Sequence, residues 1–252
     1  MKSNTVKTYA LVLKSINWSE SSKIVSLYTS EHGRLEALAK GARRKNSAYQ
    51  GVLETLNCIE AVIYFSSARE LQQLGQAGIE NSFTSIRNDL SRTAYALAIL
   101  ELIDDLIHPR EGDPVFYDFI YTMMEGIGSH PYPIIVFWYF ILKLASYLGF
   151  KPIFDTCFIC GKNIDSSVAY FQLQHGSLCC PSCAESRNAL YTLSDNFYRF
   201  LLQLQSTHYK QTATIDRYPK PAAKITDFLM NYLSFHSDQQ LHINALQLIV
   251  TN

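Results

Sequence analysis

Six cysteines are the residues of this 252-residue chain whose types and spacing point most clearly to chemistry. Four of them form two Cys-x-x-Cys pairs, Cys157 with Cys160 and Cys180 with Cys183. About nineteen residues separate the pairs, which is a spacing at which two thiolate pairs hold one tetrahedral zinc ion. Because four sulfur ligands leave no open coordination position, the sequence predicts a single structural zinc ion rather than a catalytic one.

The same stretch allows other uses of the sulfurs. Two disulfides are the competing interpretation, but no secretory signal precedes the pairs and a reducing compartment is expected. Cys179 is an alternative ligand to Cys180, although it would lengthen the second pair to Cys-x-x-x-Cys, and His175 is a further substitute. The remaining cysteine, Cys58, lies in a predicted strand and is expected to be a buried small apolar residue.

A second stretch with chemical meaning is a cationic loop at residues 40–45. Adjacent cations neutralise neighbouring phosphates and release counterions, which gives salt-sensitive binding without sequence preference. The alternative is a solvated loop whose charges only aid solubility. The cations of this loop are Lys40, Arg43, Arg44 and Lys45, with Lys23 and Arg34 nearby in the sequence, and the pattern alone leaves both interpretations open.

Aromatic and acidic residues give weaker indications. Tyr28, Tyr64 and Phe65 are able to stack on bases, but aromatic residues in strands more often belong to the core. Asp104 and Asp105 are adjacent, so on a helix their carboxylates point about a hundred degrees apart and are expected to form a solvated face rather than an acid–base pair. No phosphate loop, dinucleotide glycine fingerprint, His-Glu-x-x-His or nucleophile elbow is present, so the chain is not expected to be an enzyme.

Composition is that of a globular protein, with 48% hydrophobic and 17% charged residues. The net charge is zero, yet cations are in excess over residues 1–80 and acids over residues 81–150, so a local basic surface is compatible with the total. The most apolar run, residues 134–142, falls short of the roughly twenty residues that span a bilayer. The expected location is the cytoplasm.

The elements that would position the cationic loop are β-strands. Apolar residues alternate with polar ones in short runs bounded by turn residues, which is typical of antiparallel strands. Five such runs within some seventy residues indicate a small barrel, for which an OB-fold is favoured and an SH3-like barrel is the alternative. The predicted strands cover residues 9–16, 24–29, 34–40, 58–65 and 70–74.

From residue 81 the apolar period becomes helical. Proline and capping residues mark helix starts at Asp113-Pro114, Pro133, and Ser194 or Asp195, whereas Gly128 and Gly149 mark helix ends. The predicted helices cover residues 94–107, 114–127, 134–148, 195–205 and 222–235. The predicted fold class is therefore α+β: an OB-fold domain at residues 1–80, and a helical domain at residues 81–252 with a zinc-binding insert at residues 155–187.

Two sets of residues resemble the RecO family of bacterial recombination mediators. One joins a helix to the first cysteine pair: Leu148-Gly-Phe-Lys-Pro152, then Cys157-Phe-Ile-Cys160-Gly161. The other lies in the predicted barrel: Glu20, Lys23-Ile-Val-Ser-Leu-Tyr-Thr29, Gly33, and Lys40-Gly-Ala-Arg43-Arg44. The order of barrel, helical body and zinc insert within the helices also agrees, so the resemblance covers most of the chain.

The resemblance implies a non-enzymatic DNA repair protein. Family members bind single- and double-stranded DNA, anneal complementary strands and, with RecR, help load RecA onto strands coated by single-strand-binding protein. It therefore implies DNA, RecR and single-strand-binding protein as partners, with RecF and RecA as further candidates. It also implies that the cysteines of the two pairs are the metal ligands. By the same resemblance, phosphates are contacted by Lys40, Arg43, Arg44 and Lys45, with Lys23 and Arg34 as further contacts.

Other classes of function compete with this one. In one, the barrel of a protein–protein adaptor binds a peptide and the basic loop only solubilises it, which predicts no salt-sensitive DNA binding. In a second, an RNA-binding zinc-ribbon protein prefers RNA to DNA of the same sequence. A hydrolase that uses the metal is the third, and it requires the open ligand position that four cysteines deny.

Overall fold

The first strands close into a barrel. The computed structural model describes residues 4–107, 112–184 and 191–250, except for the side chain of Val250. Its barrel strands are β1 (Asn4–Trp18), β2 (Ser22–Thr29), β3 (Gly33–Ala39), β4 (Cys58–Phe65) and β5 (Leu71–Asn81). They close in the order β1-β2-β3-β5-β4, in which β3 and β5 are parallel and the other neighbours antiparallel. This arrangement confirms the predicted five-stranded OB-fold rather than the SH3-like alternative.

The alternating pattern of β3 shows why these residues form a closed barrel. Leu35, Ala37 and Ala39 are buried in the barrel core, whereas Glu36 between them is exposed. Because successive side chains of a strand point to opposite faces, small residues at every second position allow the opposite wall to approach. The other strands add buried residues to the same core, among them Val12, Leu27, Ile59, Ile63 and Leu74.

Two strands extend past their predicted carboxyl-terminal ends. β1 continues beyond the predicted end at residue 16 to Trp18, and β5 continues beyond residue 74 to Asn81. The sequence of β5 contains Gly75 and Gly78 and several polar residues, which weakens the strand pattern there. Its pairing with β4 nevertheless continues as far as Cys58 opposite Asn81.

Helices follow the barrel strands: α1 (Thr84–Arg87), α2 (Leu90–Leu106) and α3 (Pro114–Ser129). Asp113 accepts a hydrogen bond from the N–H of Phe116 at 3.0 Å, as expected of the predicted cap. The prediction that α3 stops before Gly128 is wrong, because the helix continues to Ser129. A Cβ atom at residue 128 would lie 2.5 Å from the Ser85 hydroxyl, so this glycine allows close packing instead of ending the helix.

The elements that follow form a second, smaller sheet and the helices next to it in the chain. They are α4 (Pro133–Tyr147), β6 (Ile153–Cys157), β7 (Val168–Gln172), β8 (Ser177–Cys179), α5 (Pro181–Ala184), β9 (Tyr191–Ser194), α6 (Asp195–Ser206) and α7 (Ala222–Ser237). The strands pair in the order β6-β8-β7-β9. α4 is buried on nearly every side, and its Trp138 donates a hydrogen bond to Thr226 of α7 at 2.9 Å. Gly149 follows the end of α4, as predicted.

The chain divides into two compact units, residues 1–129 with 243–252 and residues 130–242. The last described residues, including α8 (Gln247–Val250), belong to the first unit, where Glu101 of α2 accepts a hydrogen bond from the N–H of Ala245 at 3.2 Å. The predicted boundary at residue 80 falls at the change from strands to helices within that unit, and the division into domains 1–80 and 81–252 stays a prediction. Residues 185–187 of the predicted insert lie outside the described residues.

Candidate nucleic-acid interface and metal centre

The loop that joins β3 to β4 carries the predicted phosphate-binding cations. It starts with a series of tight turns, in which the N–H of Arg44 donates to the carbonyl of Gly41 and the N–H of Ser47 donates to the carbonyl of Arg44, both at 3.1 Å. These turns place four exposed cationic residues on one stretch, which we call the basic edge: Lys40, Arg43, Arg44 and Lys45.

Arg43 connects the basic edge to the turn between β1 and β2. Its backbone N–H donates to the carbonyl of Ser21 at 2.9 Å, and its guanidinium Nη1 donates to the carbonyl of Ser19 at 2.6 Å. The two bonds tie two loops of the barrel together, so the cations occupy a defined position rather than a free loop.

The other cations of the basic edge are available to a ligand. Within the described residues, the side chains of Lys40, Arg44 and Lys45 take part in no ion pair. Lys40 and Arg44 line a groove of about 580 Å³ whose wall includes Tyr49 and Gln76. The Tyr49 hydroxyl donates to the carbonyl of Gly75 at 2.8 Å, which fixes this wall against β5. An anionic chain in this groove would meet unpaired positive charge.

The two predicted cations outside the loop have protein partners. Lys23 Nζ lies 3.6 Å from a carboxylate oxygen of Glu54. Arg34 forms an ion pair with Asp104, 2.7 Å between Nη2 and Oδ1, and both side chains are mostly buried. The structure therefore brings four of the six predicted phosphate-binding residues together and places these two in ion pairs. Phosphate binding by Lys23 and Arg34 stays a prediction.

The acidic pair differs from expectation at one of its two positions. Asp105 is exposed, as a solvated face requires. Asp104 instead accepts hydrogen bonds from Arg34 and from the Ser26 hydroxyl, the latter at 2.6 Å. The prediction of a solvated carboxylate is therefore wrong for Asp104, because α2 packs this side chain against the outside of the barrel.

The aromatic residues are distributed between core and surface. Tyr28 is buried and its ring stacks on Tyr117 with centroids 6.5 Å apart, as expected of a core residue. Phe65 is half-buried and stacks on His32 at 4.5 Å, and Tyr64 is partly exposed. Trp18 was not among the aromatic residues that the sequence singled out. It ends β1 with 53% of its surface exposed. Its position directly before the polar turn at residues 19–21 was the available signal.

The cysteine pairs converge in the second unit. The sulfurs of Cys157, Cys160, Cys180 and Cys183 all lie within 4.8 Å of one another. In a tetrahedral site with metal–sulfur bonds of about 2.3 Å, the sulfurs are roughly 3.8 Å apart, so the cluster has the dimensions of a site for one ion. The donor set also fits, because all four ligands are thiols and the described cysteines form no disulfide.

Each pair is shaped by its own turn. Cys157 ends β6, and its carbonyl accepts from the N–H of Gly161 at 2.8 Å. Gly161 adopts φ +69°, a left-handed conformation that glycine takes without steric cost. Cys180 precedes α5, and its carbonyl accepts from the N–H of Cys183 at 3.0 Å. Each turn thus directs two sulfurs, three residues apart in the chain, toward one point.

Backbone N–H groups favour the thiolate form of Cys157, which is the form that binds a cation. Burial raises the pKa of the Cys157 thiol, but N–H groups of Cys160, Cys180 and Ile159 donate to its sulfur, and the net result lowers its pKa to about 6. The pKa of Cys183 is raised to about 12, chiefly by its hydrogen bond with the Cys180 side chain. Because the thiolate is the form that binds a metal, ion binding at this cluster releases thiol protons.

The substitute ligands lie outside the cluster. Among the described residues, the cluster that could hold a metal ion includes neither Cys179 nor His175. Cys179 is fully buried in β8, and the His175 ring stacks on Phe158 with centroids 4.4 Å apart. The geometry therefore favours the four-cysteine set that the Cys-x-x-Cys spacing predicts.

Comparison with known proteins gives the family. Residues 1–83 match the family model described as Recombination protein O N terminal, and residues 87–244 match the one described as Recombination protein O C terminal. The chain belongs to the RecO family. This membership confirms the resemblance seen in the sequence and supports a role in DNA repair and recombination.

Relatives named DNA repair protein RecO align along most of their length. The one from Caldanaerobacter subterraneus subsp. tengcongensis is 31% identical over 211 residues, 83% of this chain and 84% of the relative. The one from Exiguobacterium sibiricum is 27% identical over 235 residues, 93% of each chain. The RecO-family chain from Chlorobium limicola is 26% identical over 243 residues, covering 92% of this chain and 93% of the relative. None of the helices in the described part of the chain has the length and apolar character needed to span a bilayer.

Proposed function

We propose that this chain is a non-enzymatic recombination mediator that binds single- and double-stranded DNA through the basic edge of its barrel. The observation that carries the proposal is the set of exposed cations without ion-pair partners in the described structure, Lys40, Arg44 and Lys45, held beside the β1–β2 turn by Arg43. Such a row contacts phosphates without reading bases, which suits a protein that acts on strands of any sequence.

Annealing of complementary strands follows from the same contacts. Cations that hold one strand by its backbone leave its base edges free to pair. A second strand can then form base pairs before the protein releases the first. No nucleotide hydrolysis is needed, because base pairing itself supplies the free energy. With RecR, the protein would help to load RecA onto strands coated by single-strand-binding protein.

We assign the parts of this activity to the predicted domains. Residues 1–80 are the DNA-binding OB-fold domain, and residues 81–252 are the helical domain that meets protein partners. RecR and single-strand-binding protein are the proposed partners, with RecF and RecA as further ones, in the cytoplasm beside the nucleoid. The four-cysteine cluster would hold one zinc ion, whose contribution is to fix the insert rather than to perform chemistry.

The proposal is tested by binding to a labelled single strand and a duplex of the same length. One variant replaces Arg43, Arg44 and Lys45 by alanine. A charge-matched control replaces three exposed cations of the other unit by alanine: Lys210, Arg217 and Lys224. Loss of affinity for both DNA forms in the loop variant alone supports the proposal. An equal loss in both variants, or none in either, contradicts it, and tighter binding to RNA of the same sequence favours the RNA-binding class.

A further inference from the structure

An exposed tryptophan lies next to the basic edge. Trp18 is the last residue of β1 and has 53% of its surface exposed, and Ile16, two residues earlier on the same strand face, has 44%. A group of large apolar side chains exposed to water is typical of a binding surface, whereas single exposed ones are common. The chain's second tryptophan, Trp138, is fully buried and hydrogen-bonded, so exposure is specific to Trp18.

The strand register places further apolar residues in line with this pair. Ile16 is opposite Ile24 of β2, and Ile24 is opposite Leu38 of β3. The neighbouring residues Val25 and Ala37 point into the barrel core, so the three residues form a row on its outer face. Ile24 and Leu38 are half-buried, so Ile16 is the exposed end of the row, and Trp18 lies two residues further along β1.

Hydrogen bonds join the turn that follows Trp18 to the basic edge. Ser19 and Ser21, which accept from Arg43, are within three residues of Trp18 along the chain. Lys40 follows Leu38 by two residues. The surface therefore combines an exposed indole and an apolar row with a border of positive charge, all within one compact unit.

We propose that Trp18 is a base-stacking residue that gives this barrel a preference for single-stranded over double-stranded DNA. The inference rests on the proposed DNA binding and specifies the form of the ligand. Stacking on an indole needs a base whose face is free, which a single strand offers and an intact duplex does not. The cations at its side neutralise the phosphates of the same strand, and an uncharged peptide would leave them without partners.

The test measures binding of the full-length chain to a fluorescein-labelled oligothymidylate and to a labelled duplex. Trp18→Ala is expected to weaken single-strand binding roughly 5- to 150-fold, the range that one base–aromatic stack contributes, with duplex binding unchanged. Trp18→Phe keeps an aromatic face and is expected to retain most of the affinity. The control is Ile79→Ala, which removes another apolar side chain of the barrel with 50% exposure, on β5.

Intrinsic fluorescence supplies a second readout. Addition of unlabelled oligothymidylate is expected to quench tryptophan emission in the wild type and in Ile79→Ala, but not in Trp18→Phe, which keeps only the buried Trp138. Wild-type affinity in Trp18→Ala, together with weak binding in the Arg43, Arg44 and Lys45 variant, would overturn the stacking role and leave the proposed function standing. Absence of any DNA binding by the wild type would overturn both. Equal losses on single strand and duplex would overturn the proposed preference.

Discussion

The guanidinium of Arg34 in β3 is paired with the carboxylate of Asp104 in α2. Asp104 Oδ1 lies 2.7 Å from Nη2 and 2.8 Å from Nε of Arg34, and the two side chains are only 18% and 15% exposed. The same oxygen accepts from the Ser26 hydroxyl of β2. The Asp104 carboxylate thus joins α2 to strands β2 and β3, so Arg34 has a structural role. Its position in the sequence near other cations did not indicate this role.

The ion pair with Asp104 competes with the predicted phosphate contact of Arg34, so Arg34→Gln is expected to lower stability and to leave DNA affinity unchanged. It leaves a mostly buried Asp104 carboxylate without its charged partner, at an expected cost of about 1.5–3 kcal/mol in the free energy of unfolding. Denaturant unfolding measures the first effect and oligonucleotide binding the second.

Arg44→Gln is the matched comparison, because Arg44 is an exposed cation of the basic edge. It is predicted to show the opposite pattern, with stability unchanged and affinity reduced. If Arg34→Gln weakened DNA binding as much as Arg44→Gln while the fold stayed stable, the assignment of Arg34 to the ion pair alone would be wrong.

Loss of two cysteine ligands is predicted to remove the metal and lower the melting temperature. Cys160→Ser with Cys183→Ser takes one sulfur from each turn, and two remaining thiols cannot hold a structural ion. Elemental analysis gives the metal content and its identity, and a thermal melt gives the stability. Cys179→Ala is the control, and it should retain one equivalent of metal because Cys179 lies outside the cluster. Unchanged stability after confirmed metal loss would remove the structural role of the ion.

Glu101 predicts a pH effect on stability. Burial raises its pKa above the usual value of 4.5, although N–H groups of Ala245 and Asn244 act in the opposite direction. The ionised form is therefore less favourable in the folded state than in the unfolded state. This residue opposes folding to its full extent above the raised pKa, and the penalty is lost as pH falls through that pKa toward 4.5.

Glu101→Gln should remove that part of the pH dependence. The amide keeps an acceptor for the Ala245 N–H and carries no charge, so stability near pH 7 is expected to equal or exceed that of the wild type. Unfolding at pH 5 and pH 7 measures the difference between the two proteins. A variant that is less stable than the wild type at pH 7 would show that the charge stabilises the fold, and an unchanged pH dependence would show that Glu101 is not its source.

The sequence predicted those features that depend on residues close together in the chain. Alternation identified the buried face of β3 through Leu35 and Ala37, and the Cys-x-x-Cys spacing identified all four members of the cluster. Contacts between residues far apart in the chain were not predicted. Gly128 looks like a helix end until Ser85 is found against it, and the burial of Asp104 depends on where α2 packs. These contacts depend on the tertiary fold, which no window of sequence contains.

Strand annealing gives a functional prediction that separates the basic edge from overall charge. The wild type is expected to accelerate annealing of complementary oligonucleotides at low salt and to lose this effect as salt rises, because phosphate contacts are screened. The variant with alanine at Arg43, Arg44 and Lys45 should anneal more slowly than the charge-matched control. Equal annealing by both variants would place the activity elsewhere on the chain.

The most direct test of the central claim is the salt dependence of single-strand binding. Plotted against the logarithm of salt concentration, log affinity should fall linearly for the wild type, and alanine at Arg43, Arg44 and Lys45 should reduce the slope. At about 0.7 per neutralised phosphate, the reduction is roughly 2.1 if all three cations contact phosphates, and roughly 1.4 if the Arg43 guanidinium stays bound to Ser19. An unchanged slope, or a wild type that does not bind at low salt, would contradict the assignment of DNA binding to the basic edge.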